Sequence, residues 1–109
     1  MEKLCKMTVE IGGHKKDREK DIIKVCMVEW NFREDDFFHH PAADGKKEIL
    51  EASALGTLYA DYDEKDIIER LERAVWRING GMCHVEVRAT RLNKPGYSVF
   101  VNEEELQIA

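Results

Sequence analysis

The sequence predicts an α+β fold: a two-layer sandwich in which two helices lie on one face of a four-stranded, mostly antiparallel sheet, in the order β-α-β-α-β-β. Three observations predict it. Several segments alternate apolar and polar residues, as half-buried strands do. Two others carry apolar residues at helical spacing, and the second has clear start and stop signals. The 109 residues are enough for one core and leave little room for a second.

The first strand is read over Lys6 to Ile11, where Met7, Val9 and Ile11 alternate with Thr8 and Glu10. Gly12-Gly13 ends it. The first helix is read from Lys15 to Trp30, with Ile22, Ile23, Cys26, Met27 and Trp30 on one stripe. Asn31 to Lys47 is the least regular region, since Pro41 disfavours helix at His40 and Asp44-Gly45 is a turn signal.

Glu48 to Tyr59 fits strand or helix, and strand is favoured. Leu50, Ala52, Ala54, Gly56 and Leu58 would then share a face made of small residues, with Gly56 a candidate bulge. The helix over Asp63 to Asn79 has Asp63 as N-cap, acidic residues in its first turn and a broad apolar stripe. That stripe is Ile67, Ile68, Leu71, Ala74, Val75 and Ile78, and Gly80-Gly81 stops the helix. Cys83 to Leu92 alternates again, Asn93 to Gly96 reads as a hairpin loop, and Tyr97 to Val101 is the last strand. The strand order is open. One face of the sheet would be left bare, or covered by the 31–47 loop or a second subunit.

Composition narrows the function classes. Apolar residues at 43% are too many for disorder, and no apolar run reaches the ~20 residues of a spanning helix. The opening Met1-Glu2-Lys3-Leu4-Cys5 lacks the apolar core of a secretory signal, and the three cysteines stand far apart. A reduced, cytoplasmic protein is expected. The net charge of −5 weighs against a chiefly phosphate-neutralising nucleic-acid binder.

Trp30, Phe32, Phe37 and Phe38 cluster beside Asp35 and Asp36. They either cap the core or anchor a partner, because aromatics dominate binding hot spots. His39 and His40, with Asp36 and Asp44, are weak metal candidates, although no Cys-x-x-Cys or His-Glu-x-x-His spacing occurs. Arg70, Arg73 and Arg77 recur on one helix, and Arg88 lies on a strand's polar side; together they offer an RNA contact or a solvated face. Cys83-His84 cannot act as nucleophile and base if both lie in a strand, because they point to opposite faces. The glycine pairs lack phosphate-loop spacing, and no catalytic motif or cofactor fingerprint occurs, so no catalytic residue and no cofactor are expected.

The run Val9 to His14, the helix ending in Glu29-Trp30-Asn31-Phe32, and Ala74 to Gly81 followed by a strand resemble small uncharacterised bacterial and phage α+β proteins. That resemblance implies no activity and carries over no functional residue. The expectation is a non-catalytic interaction protein, an adaptor or inhibitor, binding a protein partner or a second copy of itself through the aromatic-acidic loop and the bare sheet face. The alternatives are a metal site using His39 or His40 and an RNA-binding module.

Overall fold

A computed structural model of the chain describes residues 3–42, 45, 48–58, 63–92 and 99–102. It is an α+β two-layer sandwich. The strands are β1 (Lys3–Gly12), β2 (Phe38–Pro41), β3 (Glu48–Leu58), β4 (His84–Arg91) and β5 (Val99–Asn102), and the helices are α1 (Glu19–Glu29) and α2 (Glu64–Asn79). The sheet order is β2-β3-β1-β4-β5, and every pairing is antiparallel. The four expected strands are therefore joined by a fifth, β2, on the edge beside β3. The expected hairpin loop at Asn93–Gly96, and Tyr97, lie outside the described residues.

β1 takes the centre because its inner side is wholly apolar: Cys5, Met7, Val9 and Ile11 are all buried. Leu50, Ala52 and Leu58 of β3 and Val85, Val87 and Ala89 of β4 extend that surface on either side. The helices cover it. Ile22 and Cys26 of α1, with Ile67, Ile68, Leu71 and Val75 of α2, complete one core with the inner strand residues. Met27, expected on the α1 stripe, lies on the solvent side.

α2 forms where local chemistry dictates. Asp63 Oδ1 accepts from the Asp66 amide at 3.0 Å, and Asp66 Oδ2 accepts from the Asp63 amide at 3.2 Å. This reciprocal cap satisfies two amides at the helix start. At the other end Gly80 takes φ 79°, and the Gly80 and Gly81 amides both donate to the Trp76 carbonyl. A side chain at Gly80 would be strained in that left-handed conformation.

α1 begins one turn later than its charged approach suggests, after a solvated 3-10 turn at Lys16–Arg18. Trp30 ends the helix in an extended conformation. Its indole then lies over β3, with Nε1 donating to the Ala54 carbonyl at 3.0 Å. Gly56 is not a bulge, because the β1–β3 register runs unbroken through Cys5 and Gly56. It is instead the floor under Trp30: a Cβ there would stand 2.6 Å from the indole Cζ2.

Glu64, at the first position of α2, is 1% exposed. It is held by Arg91 at the end of β4, whose Nε and Nη2 donate to Oε2 and Oε1 at 2.6 and 2.7 Å. The pair is bidentate and joins the helix layer to the sheet layer.

Candidate functional site

The helices cover one side of the sheet, and among the described residues no element covers the other. Register decides what that outer side presents. Phe38, Glu51, Glu10 and Glu86 stand directly opposite one another across β2, β3, β1 and β4. Three carboxylates thus share one cross-strand row. Like charges placed so are unfavourable in an isolated domain.

The rows beyond it differ. Towards one end lie His40, Ile49, Gly12 and His84. Ile49 folds over Gly12, where a Cβ would stand 2.7 Å from Ile49 Cδ1. Towards the other end, the Thr8 and Ser53 hydroxyls are 2.8 Å apart, and Arg88 Nη2 donates to Glu86 at 3.2 Å. Then come Leu55 opposite Lys6, and an apolar corner where the Leu92 amide donates to the Leu4 carbonyl at 2.9 Å. The outer side therefore runs from an acidic, imidazole-bearing end to an apolar end. Phe38 and Leu55, each 50% exposed, are its most accessible large apolar groups.

The structure separates the two adjacent histidines. On β2 they point to opposite sides. His39 turns to the helix layer, where its Nε2 and that of His14 both donate to Glu19 Oε1, at 3.0 and 2.9 Å. Burial would raise the Glu19 carboxyl, but the hydrogen bonds from His39 and His14 outweigh it and hold the carboxyl below its ordinary value. This clasp ties the edge strand to the start of α1.

His40 turns to the outer side. Its Nε2 lies 2.8 Å from Glu51 Oε1, and its Nδ1 lies 3.0 Å from the Pro41 carbonyl. The Pro41 carbonyl, and then the Glu51 and Glu10 carboxylates, outweigh desolvation and raise the His40 pKa above its ordinary value. Ligand atoms of Glu10, His40 and Glu51 all lie within 4.8 Å of one another. These three residues are the group that can hold a metal among the described residues.

Asp36, a metal candidate with His40 in the sequence, is not brought to it. Asp36 closes a 3-10 turn at Glu34–Asp36, its Oδ2 accepting from the Arg33 amide at 2.8 Å, whereas His40 is in a strand. Asp44 lies outside the described residues. The aromatic group is likewise divided. Trp30 and Phe32 are core, 8% and 4% exposed, and Phe37 packs on Phe32 with ring centroids 5.6 Å apart. Trp30 and Phe32 are therefore not exposed anchors, and Phe37 is half-buried. Phe38 and Asp35 remain at the surface.

The arginines share no single surface. Arg70 Nε donates to Glu29 at 2.9 Å and ties α2 to α1, and Arg73 and Arg77 are exposed on the same helix. Arg88 is across the molecule on the outer side of the sheet. Burial pushes the Cys5, Cys26 and Cys83 thiols up to about 11, 12 and 11, with the Glu64 charge adding to Cys5 and the Glu29 charge to Cys26. All three are protonated at neutral pH and poor nucleophiles.

Compared with family models, curated proteins and solved structures, the chain matches none. No helix among the described residues is long and apolar enough to cross a membrane. The functional reading therefore rests on the geometry of the outer sheet side.

Proposed function

We propose that this chain is a non-catalytic binding protein that presents the outer side of its sheet to a basic protein partner. The carrying observation is the in-register row of Glu51, Glu10 and Glu86 with the exposed Phe38 at its end. His40 and Arg88 offset part of the charge of Glu51 and Glu86, and a cationic surface docking on the row would offset the rest. Phe38, Leu55 and the Leu4–Leu92 corner would supply the apolar contact that charge alone does not. The net charge of −5 favours a basic partner over a second copy of the chain.

The test is affinity capture on immobilised protein, with chelator throughout, using the intact chain and a Glu10→Gln, Glu51→Gln, Glu86→Gln variant. The reading expects a basic protein that binds the intact chain, is released by salt and is lost on the variant. A partner retained equally by both, or a stable homodimer by light scattering with no captured protein, would overturn it.

A further inference from the structure

We propose that Glu10, His40 and Glu51 form a site for one first-row divalent metal ion, of the zinc or manganese class, on the outer side of the sheet. The site shares Glu10 and Glu51 with the carboxylate row, but the proposal does not require a protein partner, and its titration is read without one. An imidazole with two carboxylates is a donor set that such ions take. Here the donors come from three adjacent strands, all are half-buried, and their ligand atoms lie within 4.8 Å of one another. Around a tetrahedral ion with bonds of about 2.0–2.2 Å, donors stand roughly 3.3–3.6 Å apart. His40 Nε2 and Glu51 Oε1, 2.8 Å apart, would separate slightly to admit the ion, the wider separations would shorten, and water would fill the remaining positions.

The orientation of His40 is compatible with an ion at Nε2. Both ring nitrogens face acceptors, the Pro41 carbonyl at 3.0 Å and Glu51 Oε1 at 2.8 Å. A neutral imidazole has one N–H. With Nδ1–H given to the Pro41 carbonyl, the Nε2 lone pair would face a carboxylate oxygen, which is repulsive. A proton on each nitrogen, or Nδ1–H with a metal ion at Nε2, satisfies both contacts. An Nδ1–H held by a backbone carbonyl, leaving Nε2 as donor atom, is the supporting contact that metal-binding histidines use. Glu10 strengthens the demand. It stands between Glu51 and Glu86, and Arg88 bonds Glu86, so the outstanding negative charge gathers where His40 points. His39 takes no part, being bonded to Glu19 on the other side of β2.

The experiment is calorimetric titration of untagged protein with zinc chloride and, separately, manganese chloride. It is run on the intact chain and on Glu10→Gln, His40→Gln and His39→Gln, with circular dichroism confirming the fold of each. We expect one ion per chain for at least one metal. Affinity should fall at least about tenfold in both Glu10→Gln and His40→Gln, and stay unchanged in His39→Gln. No stoichiometric binding of either metal, binding that survives in Glu10→Gln and His40→Gln, or binding lost in His39→Gln would overturn the proposal.

Discussion

Replacing Gly56 by alanine places a methyl group where the indole of Trp30 already lies, 2.6 Å from Cζ2 and 2.9 Å from Cε2. Neither atom is the end of a flexible chain, so the ring must swing away from β3. Overpacking of this kind costs about 1–3 kcal/mol. The displaced indole also loses its bond to the Ala54 carbonyl, worth about 1 kcal/mol net. Against this, alanine gains about 0.5–1 kcal/mol over glycine in a strand. The balance is a destabilisation of about 1–3.5 kcal/mol, read by urea unfolding followed by circular dichroism. In a Trp30→Leu background the obstructing ring atoms are gone, and the same substitution should become neutral or stabilise by up to about 1 kcal/mol. A neutral Gly56→Ala in the intact chain, or an equal penalty in both backgrounds, would refute the account of this contact.

Other outcomes follow from the charged groups. Glu64→Gln leaves Arg91 without its anion; breaking a buried pair costs about 3–5 kcal/mol, and because the Arg91 side chain is 16% exposed the loss in urea unfolding should fall at or somewhat below about 3 kcal/mol. Replacing both residues by methionine should cost markedly less. Glu19 has a depressed pKa when folded, so its contribution is present above 4.5 and disappears as pH falls through the lower folded value. The stability difference between the intact chain and Glu19→Gln, no more than about 1 kcal/mol at neutral pH, should therefore vanish in acid and persist from pH 6 to 7. Glu10→Gln relieves the carboxylate row and should stabilise the free protein by about 0.2–1 kcal/mol at pH 9 and low salt. That gain should shrink in high salt.

How much was legible depended on the range of the determining contacts. α2 was readable because Asp63, Asp66 and Gly80 carry local signals for its start and stop. The inner faces of β1 and β4 were readable from alternation alone, whereas the small residues of β3 fitted strand or helix, and pairing with β1 makes them a strand. β2 was not, because Phe38-His39-His40-Pro41 has no apolar alternation and is a strand only by pairing with β3. Trp30 was rightly placed at the end of α1, but its seat on Gly56 crosses from one layer to the other. Glu64 and Arg91 are 27 residues apart and read separately as a first-turn acid and a strand-end cation.

The same limit applied to the site. Glu10, Glu51 and Glu86 are visibly polar members of alternating strands. Nothing local says that they fall into one row, since that needs both strand order and register. A residue read as a candidate, His40, did belong to the cluster, but its expected partner Asp36 did not. The partners came from strands that the sequence could not place beside it.

The most direct test of the binding reading is site-specific photo-cross-linking to the captured partner. A photoreactive residue at Leu55 places the probe on the outer side of the sheet, and one at Arg73 places it on the exposed side of α2. The account predicts cross-links to a basic protein from position 55 and none from position 73. Cross-links confined to position 73 would contradict it.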